Sequence, residues 1–223
     1  MPVLAQRIGT NGTMVAHTNG YLYWMGVLGD VVRADPTSGS LATITTGAFG
    51  IALTEGPDQF LYTTHCLASD GVGACGTVQT TTDIVVRRVD PASGLFTTVG
   101  LGPIGKPRDV AFDRRDSMYV ESANDRRFFR FHPVTGASGA FPLSGSENSY
   151  TVLHMAGHPD GNLYQTHNYT TGGRVDRMDP VTNARSSLST FPATTGLGAI
   201  TVVRDYTVPA QRRSWSQVKQ LYR

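Results

Sequence analysis

Two histidines and one glutamate are the side chains most able to do chemistry in this sequence. His65 lies in Thr64-His65-Cys66 and His167 in Thr166-His167-Asn168. Each follows a similar segment, Gln-Phe-Leu-Tyr-Thr at 59–63 and Gly-Asn-Leu-Tyr-Gln at 161–165. Glu121 follows Asp-Ser-Met-Tyr-Val at 116–120, in what reads as the corresponding place. Two imidazoles and a carboxylate on a common axis could ligate a divalent metal such as Ca²⁺, Mg²⁺ or Zn²⁺, or act as base and acid. The plainer alternative is that repetition alone puts polar residues at like positions, where water and neighbours satisfy them. Asn168 beside His167, and Arg108 and Asp109 at the start of a strand, complete the candidate binding set.

The remaining histidines read as structural. His132 takes the place of Asp in a recurrent turn and would cap it, and His158 sits in the turn Gly-His-Pro-Asp-Gly and should be exposed. His17 and His154 fall on strands that could line a channel. No Gly-x-Ser-x-Gly elbow, Walker loop or His-Glu-x-x-His stretch is present. Gly-Leu-Gly-Pro-Ile-Gly at 100–105 precedes a strand rather than a helix, so it is no phosphate loop.

These residues need elements to position them, and internal repetition supplies the elements. Leu/Met-Tyr pairs recur at 22, 61, 118 and 163. Each is followed by a strand-like stretch, and three of the four stretches end in Asp-Pro: Asp35-Pro-Thr-Ser-Gly, Asp90-Pro-Ala-Ser-Gly and Asp179-Pro-Val-Thr-Asn. Proline presets φ for a turn and glycine supplies a positive φ. Apart from an insertion that carries both cysteines, the period is roughly 40–45 residues, that of a four-stranded propeller blade. The inner strands are expected at Met14–Thr18, Phe49–Glu55, Pro107–Arg114 and Thr151–Gly157. Gly198–Tyr206 reads as a fifth inner strand and Pro2–Gly9 as an outer one. The expectation is an all-β propeller over 1–206, with four four-stranded blades and an incomplete fifth closed by both termini. A six- or seven-bladed ring of which this is a fragment, or an open arc completed by another chain, would carry the same repeats.

The stretch Pro-x-x-Val-Ala-Phe-Asp, Met-Tyr-Val and Asn-Asp-Arg-Arg-Phe-Phe-Arg-Phe within 107–131 resembles a blade of the NHL-repeat propellers. It is also similar to the gluconolactonase/SMP-30 and streptogramin B lyase propellers, over about residues 8–206. The lactonase resemblance implies a Glu, an Asn and an Asp around one metal ion, and Glu121 and Asn168 depart from that set in lying at second-strand ends. The lyase resemblance implies a histidine base with a magnesium site, for which His65 or His167 could stand in. The fold itself hosts enzymes, receptors and scaffolds alike.

Composition bounds the rest. The chain has 223 residues, 16% charged, a formal net charge of +2, nine Phe, nine Tyr and two Trp. That is enough to build a core, and too balanced in charge for a nucleic-acid footprint. No window approaches the ~18 apolar residues of a membrane span. Cys66 and Cys75 bracket a small-residue loop. A disulfide there would contribute roughly 2–3 kcal/mol and point to an oxidising compartment; two unpaired thiols are the alternative. Met-Pro-Val-Leu-Ala-Gln-Arg is no secretion signal. An extracellular or cell-envelope protein whose leader is absent from this sequence is therefore expected. Residues 207–223 form a separate basic tail in which Trp215, Val218, Leu221 and Tyr222 share one face of a short helix, suited to docking on the ring or to a partner. The functional expectation is a non-catalytic binding or scaffold propeller for a protein, small-molecule or glycan ligand. A metal-assisted lactonase- or lyase-like enzyme and a structural subunit that assembles through its tail are the alternatives.

Overall fold

The computed structural model describes residues 14–26, 29–46, 50–66, 84–100, 107–113, 115–122, 127–132, 138–142, 151–158, 160–169 and 172–192. These residues are all-β, in four antiparallel four-stranded sheets with consecutive strand order. Blade 1 comprises β1 (Met14–Ala16), β2 (Leu22–Met25), β3 (Val31–Ala34) and β4 (Leu41–Thr45). Blade 2 comprises β5 (Gly50–Glu55), β6 (Leu61–Cys66), β7 (Ile84–Val89) and β8 (Phe96–Gly100). Blade 3 comprises β9 (Pro107–Phe112), β10 (Met118–Ser122), β11 (Arg127–Phe131) and β12 (Ser138–Pro142). Blade 4 comprises β13 (Thr151–Gly157), β14 (Leu163–Tyr169), β15 (Gly172–Met178) and β16 (Arg185–Pro192). The four expected inner strands are β1, β5, β9 and β13, and successive ones pack side by side. The expected fifth blade, the C-terminal helix and Cys75 lie outside the described residues.

The Leu-Tyr pairs explain how the blades stack. Adjacent residues of a strand point to opposite faces. The first residue of each pair faces the preceding blade and the tyrosine faces the following one. Thus Tyr23 packs with Leu53, Leu61 and Val89 across the seam of blades 1 and 2. Tyr62 packs with Val110, Phe112, Met118 and Val120 across the next seam. Tyr119 packs with Met155, Leu163 and Met178 across the third. Each buried aromatic or aliphatic side chain contributes about 1.5–3 kcal/mol, so truncating any one of them loosens two blades at once. Trp24, Val32 and Ala34 are buried on the face of blade 1 turned away from blade 2.

Tight turns hold the bottom of each blade, where the first strand meets the second and the third meets the fourth. Between first and second strands, Asn19, Asp58, Asp113 and Asp160 each bond the hydroxyl of the repeat tyrosine, at 2.8, 2.9, 3.0 and 2.9 Å. The Asp-Pro turns join third to fourth strands as the sequence predicts. The carboxylates of Asp35, Asp90 and Asp179 accept the backbone N–H two residues on, at 2.7, 2.8 and 2.8 Å. Gly39, Gly94 and Asn183 close the turns at φ of 72°, 73° and 57°.

Candidate functional site

The opposite end of each blade, where the second strand hands over to the third, carries the candidate site. His167 and Glu121 both stand there, and the register shows that they are not equivalent. His65 and His167 each lie four residues after the first member of their Leu-Tyr pair. Glu121 lies three after Met118, so alternation turns it to the other face of its sheet. Ser122 is the positional counterpart of the histidines. The consequence is convergence rather than symmetry: Glu121 faces forward from blade 3 and His167 faces back from blade 4, so both point into one seam.

That seam gathers more polar groups than the sequence foretold. From blade 3 it receives Asp109 and Glu121, and from blade 4 Gln165, His167 and Asp176, all buried. A bulge in the β9–β10 pairing, between Val120 and Ser122, places Glu121 opposite residues 108–109. Asp109 accepts the N–H of Val110 at 2.8 Å and, across the seam, the N–H of Met155. His154 Nδ1 lies 3.9 Å from Asp109 Oδ2. Burial pushes the Asp109 carboxyl up to about 7 against the pull of those two N–H donors. Burial also lowers the pKa of His154.

Asp176 anchors the second half of the cluster. Its Oδ2 accepts Arg174 Nε at 2.9 Å and lies 2.7 Å from Arg174 Nη2. His167 Nε2 lies 3.3 Å from the same oxygen. Arg174 and His154 have side chains 24% and 18% exposed, so they form the solvent edge of a cluster that is otherwise closed. Gln165 is opposite Asp176 in the β14–β15 register and donates its amide weakly to the sulfurs of Met155 and Met178, at 3.8 and 3.9 Å.

The sequence candidates thus divide. Glu121, His167 and Asp109 are buried on the faces that meet in one seam. His65 belongs to β6, whose Thr63 contacts Met25 of blade 1 at 3.8 Å. Residue 65 therefore stands on blade 2, whereas Glu121 and His167 stand on blades 3 and 4. Only the backbones of His65, Cys66, Arg108 and Asn168 are described. Trp215, Val218, Leu221 and Tyr222 lie outside the described residues, as does Cys75. Among the described residues no three His, Cys, Asp or Glu side chains form a group that could hold a metal ion. His17 closes the bottom of the first seam through Gln59 O at 3.0 Å. His158 is 40% exposed in its turn, as its context implies.

Sequence reasoning missed Gln165, Arg174 and Asp176. The signal was available once the repeats were aligned. In the register, Gln165 pairs with Asp176 where the other blades pair Trp24 with Val32, Thr63 with Arg87 and Val120 with Phe129. Blade 4 therefore puts an amide and a carboxylate where two of its sister blades put apolar core.

No family model and no curated protein matches the chain. Solved structures do share its fold. A chain of the nidogen/laminin complex is 16% identical with a TM-score of 0.62, covering 84% of this chain and 66% of that one. An auxiliary nutrient binding protein from Bacteroides ovatus is 13% identical with a TM-score of 0.61, covering 85% of this chain and 44% of that one. Virginiamycin B lyase from Staphylococcus aureus is 11% identical with a TM-score of 0.55, covering 79% of this chain and 54% of that one. This chain spans about half the length of the lyase and the nutrient binding protein. The resemblance to the propeller superfamily of the lyases and lactonases therefore holds at the level of fold.

Proposed function

We propose that this chain is a binding propeller that takes its ligand over the upper seam of blades 3 and 4. One observation carries the reading: the two ends of the blades differ in how their buried polar groups are satisfied. At the bottom, Asp113 accepts two backbone N–H groups and a tyrosine hydroxyl. Asp58 and Asp160 each accept one backbone N–H and a tyrosine hydroxyl, and Asn19 accepts one backbone N–H and donates to the hydroxyl of Tyr23. In the upper seam of blades 3 and 4, His154 Nδ1, Gln165 Oε1 and Asp176 Oδ1 are buried without a hydrogen-bond partner among the described residues. Unsatisfied buried polar atoms are costly and uncommon, and a water, an ion or a ligand group is what completes such a set. A nutrient binding protein among the structural neighbours agrees with such a role. An extracellular or envelope location, a fifth blade shared by the two termini, a Cys66–Cys75 disulfide and self-assembly through the tail belong to this reading as proposals.

The test is a glycan and peptide binding screen with the full chain, repeated with His154→Ala and Arg174→Gln. The glutamine keeps a donor for Asp176. A ligand whose affinity falls tenfold or more in both variants, at nearly unchanged Tm, is the expected result. Affinity indifferent to both would defeat the proposal. The second reading is a lyase-like enzyme, favoured by the proximity of Asp109 and His154, with burial raising the carboxyl to about 7 and lowering the imidazole below the usual histidine range. A lyase of the same fold is inactivated by a histidine-to-alanine change. Turnover of a lactone or cyclic depsipeptide that His154→Ala abolishes would select it over pure binding.

A further inference from the structure

We infer that the upper seam of blades 3 and 4 accepts a primary ammonium group, held between Asp176 Oδ1 and Gln165 Oε1. This rests on the binding reading and specifies the chemistry that the site would take.

The argument begins with acceptors. Asp109, Glu121 and Asp176 bring three carboxyl groups into one buried seam, and Arg174 is the fixed cation beside them. Arg174 and His167 both address Oδ2 of Asp176, so this carboxylate receives its charge partners on one oxygen only. Its Oδ1 is buried and has no hydrogen-bond partner among the described residues. The independent observation is Gln165, which is fully buried and faces the same seam. Its Oε1 likewise has no partner among the described residues, while its Nε2 is turned to two methionine sulfurs. The two residues are direct partners in the β14–β15 register and lie on one face of the sheet.

Two neighbouring acceptors, one of them anionic, call for a donor with at least two hydrogens and a positive charge. A primary ammonium carries three N–H donors on a compact charge. A bare hydroxyl would satisfy one acceptor and add no positive charge to a seam that sets three carboxyl groups against Arg174. Hydrogen bonds from a charged donor to a carboxylate are roughly twice as strong as neutral ones. The position is also apolar in two of the other blades, as Trp24 with Val32 and Val120 with Phe129. The core therefore does not need polar atoms here for folding.

The experiment measures Tm of the full chain in methylammonium chloride, sodium chloride and tetramethylammonium chloride at equal ionic strength. Methylammonium is expected to raise Tm in a saturable manner, while tetramethylammonium, a cation without N–H, matches sodium. The methylammonium affinity is expected to fall at least tenfold in Asp176→Asn and in Gln165→Leu. The leucine sits comfortably between Met155 and Met178, so it carries the test if the asparagine variant fails to fold. Equal responses to all three salts, or a methylammonium response that survives Gln165→Leu, overturns the inference. A screened ligand that needs Arg174 yet binds Gln165→Leu normally would leave the binding reading standing while removing this one.

Discussion

Asp109 shows what a single residue can report about the seam. Its folded carboxyl titrates at about 7, against the ordinary value near 3.9. Between those values the unfolded chain has released the proton and the folded chain still holds it. Stability then falls as pH rises from about 4 to about 7, and this contribution is flat above. His154 works in the opposite direction: its lowered pKa removes stability as pH falls below the usual histidine range. The clean measurement is therefore a difference. Tm of the wild type minus that of Asp109→Asn should decline across pH 4–7 and level off above. Parallel profiles would show that the carboxyl titrates normally and that the seam is wetter than its burial implies. The same residue also marks how far the site was legible. Asp109, Glu121 and His167 could be found because polar residues at strand ends stand out. Glu121 reads as the counterpart of the histidines because a one-residue offset is invisible until register is known, and that offset reverses a side chain. Asp176 was hidden because Arg-Val-Asp reads as an ordinary exposed-buried alternation, and only the cross-strand partner reveals that its carboxylate is inside.

At the scale of the elements, the turns were the most legible feature, because each residue in them acts locally. The Asp carboxylate, the serine and the positive-φ residue of Asp35–Gly39 and Asp90–Gly94 make the same bonds in two blades. What the sequence could not tell is which copy is crowded. A Cβ on Gly39 would meet nothing within 4 Å, whereas one on Gly94 would lie 1.7 Å from the carbonyl oxygen of Ile44. Gly39→Ala should therefore cost only the backbone term, about 1–2 kcal/mol. Gly94→Ala should cost more, about 3 kcal/mol or above, because blade 1 must also move. Equal losses in urea melts would mean that the two blades are not in contact at this turn. The first-to-second turns pose the same contrast. His17 and His158 each accept the N–H two residues on through Nδ1, at 3.0 and 3.1 Å. Only His17 is buried and bonded to a neighbouring blade. His17→Ala should destabilise by about 1–2 kcal/mol, and His158→Ala by no more than about 0.5 kcal/mol.

At the scale of the whole molecule, the seams make one further demand. Three seams are filled by residues from both sides, each with a tyrosine from one blade meeting the core of the next. The fourth cluster is different: Trp24, Val32 and Ala34 all belong to blade 1, and Trp24 is fully buried. Indole surface of that size does not stay out of water on its own sheet alone, since a single sheet covers one side of a side chain and leaves the other open. The repeat explains which side is concerned. Trp24 occupies the backward-facing position that Thr63, Val120 and Gln165 hold in the other blades, so a preceding blade is what should cover it. The strand-like segments at 2–9 and 198–206 are the parts of the sequence with the right pattern for that blade. Fluorescence decides the point, because the chain has two tryptophans and Trp215 can be removed. In a Trp215→Phe background, Trp24 should emit as a buried indole. Deleting residues 198–223 should shift that emission to the red, raise its quenching by acrylamide and lower Tm, while the strand signal of blades 2–4 persists in circular dichroism. Unshifted emission after the deletion would mean that the segment at 198–206 is not what covers Trp24.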